Sequence, residues 1–317
     1  MIDDPIRTIA VPTPFGVGTV NAYLLGHPPL TLVDVGPNYP PALASLDAAL
    51  ARFHVAWTDI GRVLITHHHV DHVGLAQVVK ERSGAEIVAH SSLARLLPNV
   101  LEDMKMDEVY AERQMLAYGL ERRRVRDVLV LLAGNRRYAC PVEVDRLVDE
   151  GDVVGGLRIV HRPGHSFSDI VFDDGARGVA FVGDHLLARI SSNALLQRSL
   201  DGEPELTGSR TLIAYRRSLE RSLLDLPAVA YPGHGPRIDD PATLIRVRLA
   251  EQDRRTEAVL AAIRTGEETV QGLIDSLWPH LDTSQLFLAF SEILGHLGRL
   301  TEQSQVDVDN RRRWVAV

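Results

Sequence analysis

The stretch THHHVDHVG at residues 66–74 limits the fold more than any other feature of the sequence. It holds four of the 13 histidines of this 317-residue chain, and it directly follows an apolar run at 61–66 that is typical of a buried β-strand. Imidazole and carboxylate groups are the donors that suit zinc and similar metals. The chain must therefore fold so that the end of this strand opens onto a metal site.

The H-x-H-x-D-H pattern within this stretch suits two ions. Residues two apart in an extended segment point the same way, so His67 and His69 can bind one ion together. Asp71 and His72 follow two to three residues later and can reach a second ion nearby. His68, between the first two ligands, is predicted to be a spacer.

Apolar runs that alternate with helical periodicity predict an α/β fold. Before residue 98, strands are predicted at 19–25, 30–35, 61–66 and 85–89, with helices at 40–53 and 75–82 and a turn at 26–29. Later strands are predicted at 144–148, 157–160, 170–172, 179–182 and 228–231.

Residues 98–137 have no strand pattern and are predicted to form a helical insertion on this body. Two interpretations stay open: a packed helix pair, or a lid over the substrate. Tyr110 and Tyr118, with Met104, Met106 and Met115, are candidates for an apolar wall of the substrate pocket. The spacing of these residues is equally typical of a helix core.

The chain is predicted to divide into a catalytic domain at 1–240 and a second domain at 241–317. Helices at 242–265, 269–277 and 285–300, followed by short strands at 306–308 and 314–317, indicate a small α+β, winged-helix-like appendage. The helix at 285–300 is largely apolar, which predicts packing on the main domain or on a second copy in a homodimer.

Composition narrows the class of protein. A net charge of −8 disfavours non-specific nucleic-acid binding, which depends on basic surface. The single cysteine, Cys140, excludes an internal disulfide and a Cys-rich metal site. The acidic, proline-broken N-terminus does not resemble a secretory signal, and no apolar run approaches the roughly 20 residues of a membrane helix. We therefore expect a cytoplasmic protein with a small-molecule substrate and no membrane segment.

Three later strand ends supply the remaining ligand candidates. His165 lies in RPGHS, Asp184 in VGD and His234 in YPGHG, and each follows an apolar run and a glycine. Four residues cannot complete the shells of two ions, so these three are predicted to join the first motif in a site of seven residues.

THHHVDH, PGHS, GDH and PGHG, in this order, resemble the signature of the metallo-β-lactamase superfamily over roughly residues 5–240. The resemblance implies a four-layer αβ/βα sandwich and metal-dependent hydrolysis. It implies one metal bound by His67, His69 and His165, a second bound by Asp71, His72 and His234, and Asp184 as the bridge between them.

The same resemblance extends to residues around the ligands. Asp34, in LVDVG, matches the carboxylate with which the family supports its ligands. The insertion and the appendage resemble the branch that contains glyoxalase II-like and lactamase-β2-like proteins. Within that branch His185 and the segment 190–193, which ends at Asn193, also look family-like and are predicted to lie around the pocket.

The ligand set predicts the chemistry. Two dications a few ångströms apart hold a water between them and lower its pKa toward neutrality, so that a bridging hydroxide attacks an electrophilic centre. By resemblance, Asp71 also accepts or donates protons. Ligation by His and Asp alone favours two zinc ions per chain, with manganese or iron as alternatives. The leading hypothesis is a hydrolase of a small ester, thioester or lactone.

Other functions stay open. The winged-helix-like segment and the basic runs at 122–124 and 311–313 suggest a ribonuclease or phosphodiesterase of the lactamase-β2-like type, although a solvated surface also explains such runs. A one-iron persulfide dioxygenase retains the same motif. A non-catalytic nucleic-acid-binding or regulatory protein would use the C-terminal module, but the complete metal set argues against it.

Overall fold

Two β-sheets packed face to face form the centre of the molecule. The computed structural model describes residues 6–26, 29–198, 210–310 and 313–317. The first sheet has six strands in chain order: β1 (Arg7–Val11), β2 (Val20–Leu25), β3 (Leu30–Val33), β4 (Ile60–Leu64), β5 (Glu86–His90) and β6 (Arg146–Val148). Strands β1 to β3 are antiparallel, and β3 to β6 are parallel.

The second sheet has five strands in the order β11-β10-β9-β8-β7. They are β7 (Val153–Val154), β8 (Leu157–His161), β9 (Ile170–Asp174), β10 (Val179–Gly183) and β11 (Val229–Pro232). Only β10 and β11 pair in parallel among these strands.

Helices cover the outer face of each sheet. The helices are α1 (Pro40–Arg52), α2 (Val70–Val73), α3 (Ala76–Ser83), α4 (Val100–Ala117), α5 (Arg122–Asn135), α6 (Thr211–Asp225), α7 (Pro241–Arg264), α8 (Val270–Leu277) and α9 (Thr283–Glu302). Buried residues of α1 and α3 pack on the first sheet, and buried residues of α6 and α7 pack on the second.

The strand sequences explain this layering. Successive residues of a strand point to opposite faces of its sheet. Leu32 and Val63 therefore pack toward the helices, while Val33 and Leu64 pack against Phe172 and other residues of the opposite sheet. Both faces of both sheets are apolar, which gives the predicted four-layer α/β architecture.

The predicted insertion and the C-terminal segment share one hydrophobic core. Met115 of α4 and Val125 of α5 are buried in the same cluster as Phe290 and Leu294 of α9. A hairpin of β12 (Val306–Val308) and β13 (Trp314–Ala316) completes the predicted order of three helices and two strands. The status of 241–317 as a separate winged-helix-like domain stays a prediction.

Several details differ from the sequence predictions. Strands β1 and β7 and helix α6 were not predicted, although Leu212, Tyr215 and Leu219 of α6 have helical spacing and are buried. The predicted turn at 26–29 includes residues 27 and 28, which lie outside the described residues.

Within the described ranges, no helix combines the length and apolarity required to cross a membrane.

Candidate active site

The two sheets bring the four sequence motifs together at one edge of the sandwich. Residues 67–72 follow β4 and run into α2, and His165 lies in the loop between β8 and β9. Asp184 directly follows β10, and His234 lies two residues after β11. All seven predicted ligands therefore sit at strand ends, where backbone turns leave room for side chains to converge.

His67, His69 and His165 form the first group, whose donor atoms all lie within 4.8 Å of one another. His69 Nδ1 is 3.0 Å from His165 Nε2. Two ligand nitrogens of a tetrahedral zinc ion are separated by about 3.3 Å, given Zn–N bonds of about 2.0–2.1 Å. The spacing of this group therefore suits one ion.

Asp71, His72 and His234 form the second group under the same 4.8 Å limit. Asp71 Oδ2 lies 3.3 Å from His234 Nε2. Asp184 stands between the groups: its Oδ1 is 3.5 Å from His72 Nε2, and its Oδ2 is 3.6 Å from both His165 Nε2 and His234 Nε2. Its two oxygens thus face both groups.

Hydrogen bonds through Nδ1 fix the orientation of several imidazoles. His165 Nδ1 donates to the carbonyl of Asn193 over 2.9 Å, and His234 Nδ1 donates to the carbonyl of Thr19 over 2.8 Å. His72 Nδ1 donates to Asp34 Oδ2 over 2.8 Å. Because each acceptor is an oxygen without a hydrogen, each ring turns Nε2 toward the cluster, as metal-binding histidines do.

Asp34 joins His72 to the first group through Thr66. The Thr66 hydroxyl donates to Asp34 Oδ2 over 2.8 Å, so its oxygen is left to accept from His67 Nδ1 over 3.0 Å. The Thr66 amide donates to Asp34 Oδ1 over 2.9 Å. The predicted supporting carboxylate therefore orients one ligand of each group.

Gly233 lets the loop that carries His234 approach the cluster. A Cβ atom at this position would clash with Asp184 Oδ1 and would lie 2.6 Å from His72 Cε1. Real Cβ atoms do not approach other atoms so closely, so only glycine fits beside these two side chains.

Four buried atoms of the cluster that could bind a metal have no hydrogen-bond partner among the described residues. They are Nε2 of His67, His72 and His234, and Oδ1 of Asp184. Leaving a buried polar atom unsatisfied costs about 1–3 kcal/mol. Four such atoms on converging side chains are unusual, because nearly all buried polar groups in proteins are satisfied. Cations bound by these atoms would satisfy all four, so the donor set fits a metal centre.

The electrostatics agree with this interpretation. Burial, reinforced by neighbouring imidazoles, lowers the pKa of His67 and of His69 well below the usual range, so both rings are neutral and carry lone pairs. Burial raises the pKa of Asp184, but His72 and His234 outweigh it and hold this pKa below its ordinary value. The cluster thus combines neutral imidazoles at His67 and His69 with an ionised Asp184. Burial lowers the pKa of His72 and of His234, but Asp184 and the other nearby carboxylates outweigh burial and raise both.

The other predicted site residues take different positions. His68 Nδ1 lies 2.9 Å from Ser168 Oγ, and its ring stacks on Phe167, so it supports the loop of His165. His185 points into the second sheet's helical layer, with Nε2 2.9 Å from Ser222 Oγ of α6. Asn193 contributes through its backbone carbonyl.

A cavity of about 330 Å³ adjoins the cluster, and His69 and Asp71 form part of its lining. Tyr110 and Met104 of α4 also line it. Tyr118 is not among its lining residues in the described ranges; its ring packs edge-on against Phe290 at 6.0 Å. The wall also contains Phe287 and Leu288 of α9, which sequence reasoning did not assign to the pocket.

Gln197 is a second residue that sequence reasoning missed. Its side-chain amide donates to the carbonyl of His165 over 3.0 Å and accepts from the amide of Phe167 over 2.8 Å. No local motif marks Gln197, because the loop that it holds lies about 30 residues earlier in the chain.

The family follows from comparison with known proteins. The family model described as the metallo-beta-lactamase superfamily matches residues 15–234, more than half of the chain. The chain belongs to the metallo-beta-lactamase superfamily. The sequence resemblance to this superfamily is therefore confirmed, whereas the branch within it stays a prediction.

Three proteins illustrate what this chain is similar to. The chain is 32% identical over 310 residues to "Probable metallo-hydrolase YqjP" of Bacillus subtilis, covering 96% of this chain and 95% of that protein. The metallo-beta-lactamase family protein TTHA1429 from Thermus thermophilus superposes with a TM-score of 0.81 at 29% identity, covering 98% of both chains. An atrochrysone carboxyl ACP thioesterase of Emericella nidulans is 26% identical over 253 residues, covering 78% of this chain and 61% of that protein.

Proposed function

We propose that the chain uses two divalent metal ions, zinc in the native protein, to hydrolyse a small carboxylic ester, thioester or lactone. As a member of its superfamily, the chain is a metal-dependent hydrolase. The residues assigned to one ion are His67, His69 and His165, those assigned to the other are Asp71, His72 and His234, and Asp184 is assigned to both.

One observation carries this proposal. Where the two groups meet, four buried atoms that could bind a metal have no hydrogen-bond partner among the described residues. A single ion bound to the first group would leave Nε2 of His72 and of His234 unsatisfied. Two ions would bind all of these atoms. The absence of cysteine from both groups supports zinc, manganese or iron over softer metals, and zinc suits this His/Asp set best.

Metal ions bound here would lower the pKa of a water molecule and polarise the substrate carbonyl. Hydrolysis adds the water oxygen to the carbonyl carbon, breaks the C–S or C–O bond, and transfers a proton to the leaving sulfur or oxygen. Asp71 lines the cavity and lies within 3.3 Å of His234 Nε2, so its carboxylate stands between the cluster and the substrate.

Asp71 is the residue that we assign to this proton transfer. Burial raises the pKa of Asp71, but the neighbouring imidazoles of His72 and His234 outweigh burial and lower it. The carboxylate is therefore ionised at neutral pH and can accept a proton before passing it on.

The cavity and the thioesterase relative support a carbonyl substrate. Apolar side chains predominate in the cavity wall, as expected for a site that binds an acyl group. The ribonuclease alternative depended on the winged-helix-like segment and on two basic runs. Both runs are partly engaged: Arg124 pairs with Asp275 at 2.8 Å, and Arg313 pairs with Asp309 at 2.8 Å. Arg311 and Arg312 lie outside the described residues.

The test combines metal analysis with hydrolysis. We expect about two zinc ions per chain in the wild type, and turnover of a thioester or ester within a panel that also contains lactones, phosphodiesters and RNA. His67→Ala should remove one ion, and Asp184→Asn should weaken both sites. Both variants should lose at least about 100-fold in kcat/KM while remaining folded by circular dichroism.

His280→Ala is the matched control, because His280 is an exposed histidine remote in sequence from every motif. It should keep the metal content and activity of the wild type. Unchanged metal content and turnover in His67→Ala, or cleavage of RNA in preference to every ester and thioester, would contradict the proposal.

A further inference from the structure

Three parts of the chain form much of the wall of the cavity beside the cluster. Helix α4 contributes Met104, the segment 195–198 contributes Leu196, and α9 contributes Phe287 and Leu288. Leu196 is 5% exposed, and Val100 at the start of α4 is 3% exposed, so this part of the wall is deep in the molecule. At about 330 Å³, the cavity is within the usual range for small-molecule sites.

One end of this cavity meets the reaction centre, because His69 and Asp71 belong to its lining. A substrate carbonyl at the cluster therefore places one of its two substituents in the cavity. The leaving group must depart to solvent, so a largely apolar cavity suits the acyl chain, which stays until the product is released.

Apart from Asp71 at the cluster, the charged groups of the cavity wall lie together at one place. Asp103 and Asp107 of α4 both line the cavity, and both pair with Arg198. The Arg198 Nε to Asp107 Oδ1 distance is 3.0 Å. One guanidinium thus faces two carboxylates, which leaves a surplus negative charge beside a low-dielectric space. The third carboxylate nearby, Glu108, pairs with Arg136 at 2.6 Å.

We propose that this cavity binds the acyl chain of the substrate, that this chain is apolar and has no terminal negative charge, and that Asp107 enforces the selection against anionic chains. This inference rests on the proposed ester or thioester hydrolysis. Arg198 does not offset the charge of an anionic acyl chain, because its guanidinium already pairs with Asp103 and Asp107. Like charges a few ångströms apart in such a site repel strongly.

The ionisation of Asp107 gives this selection a pH dependence. Burial and the neighbouring Asp103 raise the pKa of Asp107 to about 6, against the opposing effect of Arg198. The charged groups around it are Asp103 and Glu108 on its own helix and Arg198 on the facing segment. Above this pKa Asp107 is ionised and repels an anionic chain; below it Asp107 is neutral and the repulsion disappears.

The first experiment measures kcat/KM of the zinc-loaded full-length protein with four thioesters of N-acetylcysteamine: acetyl, octanoyl, octanedioyl and 8-aminooctanoyl. We expect octanoyl to exceed acetyl by at least about tenfold, since each buried methylene contributes to binding. Octanedioyl should be poorer than octanoyl by about tenfold or more, and poorer than 8-aminooctanoyl, whose charge is opposite.

Asp107→Asn should raise the octanedioyl-to-octanoyl ratio about tenfold, because asparagine keeps an oxygen for Arg198 and removes the charge. In the wild type this ratio should rise as the pH falls through about 6, where Asp107 becomes protonated. In Asp107→Asn only protonation of the substrate's own carboxylate should still raise the ratio at low pH. Glu102→Gln, an equal charge change on an exposed part of α4, is the matched control and should leave the ratio unchanged.

A second pair of substrates tests which half of the ester occupies the cavity. Ethyl octanoate and octyl acetate contain the same atoms, with the long chain on opposite sides of the reacting bond. We expect ethyl octanoate to be preferred, and Leu288→Trp to reduce that preference by filling the cavity. Val109→Trp, on the exposed side of α4, should not reduce it.

Binding without turnover separates this inference from the proposed function. Calorimetry should show 2-decanone binding at least about tenfold more tightly than 9-oxodecanoate, with the difference reduced in Asp107→Asn. If no ester or thioester is hydrolysed, the proposed function fails, and this binding result alone decides the cavity's preference. Equal binding of both ketones, preference for octyl acetate, or a ratio unaffected by Asp107→Asn would overturn the inference.

Discussion

Asp34 shows how much of the site depends on a single residue. Its φ of +53° lies in the left-handed region, which Asp and Asn tolerate better than most residues. In that conformation its carboxylate receives hydrogen bonds from Thr66 and from His72 Nδ1. The unusual backbone geometry thus orients candidate ligands, and functional sites are where such strain is commonly found.

Asp34→Asn tests this role with little change of shape, because asparagine also tolerates a positive φ. The variant loses the negative charge that holds His72, so we expect zinc affinity to fall by about 10–100-fold and hydrolysis to fall with it. Zinc affinity is measured by competition with a chelator. Asp59→Asn, beyond the α1 helix, should bind zinc like the wild type; an Asp34→Asn variant that did the same would contradict the role.

At the scale of elements, the segment 193–198 connects the metal-site loop to the helical insertion. Asn193 and Gln197 hydrogen-bond to His165 and Phe167, and Arg198 pairs with two carboxylates of α4. The same short segment therefore positions a ligand and forms part of the cavity wall. Hydrogen bonds and ion pairs of this segment thus link α4 to the loop of His165.

Gln197→Ala removes two of these hydrogen bonds and leaves the ligands themselves intact. We expect faster hydrogen exchange at the amide of Phe167, which loses its acceptor, and weaker zinc binding by up to about tenfold. Exchange is followed by mass spectrometry on peptides that cover 162–168. Gln77→Ala, on the exposed side of α3, is the control. Unaltered protection of Phe167 would rule out the positioning role.

The convergence of the candidate ligands could be predicted from the sequence because each lies in a local pattern, whereas their binding of metal stays a prediction. His67 directly follows an apolar run, and His165, Asp184 and His234 each follow an apolar run and a glycine. The supporting contacts were harder to predict. Gln197 and the carbonyl of Thr19 reach ligands about 30 or more residues away, and such pairings depend on the packing of the two sheets.

At the scale of the whole molecule, the predicted division at residue 240 stays a prediction, and extensive packing crosses it. Helix α9 contacts α5, α6 and α7, so the C-terminal segment adjoins both the insertion and the second sheet's helices. Its apolar character predicted burial against the main domain or a second copy, and the contacts within the chain account for that apolar face. Phe287 and Leu288 of this helix also complete the cavity wall.

Denaturation tests whether the molecule unfolds as one unit. In Trp57→Phe the two remaining tryptophans, Trp278 and Trp314, both report on the C-terminal segment. We expect their fluorescence and the far-ultraviolet circular dichroism to change at the same denaturant concentration. Phe290→Ala, which empties a fully buried position, should lower the free energy of unfolding by about 3–5 kcal/mol and shift both signals together. Fluorescence that changed first would support two domains.

The distribution of the ligands over both halves of the sandwich has a thermodynamic consequence. His67, His69 and His72 follow a strand of the first sheet, whereas His165, Asp184 and His234 follow strands of the second. An ion held by both sets would fasten the two sheets together, and only the assembled sandwich would present the complete set. Ligation and folding are then linked: free metal at about 100 times its dissociation constant would contribute about 2.7 kcal/mol to the stability of the native chain.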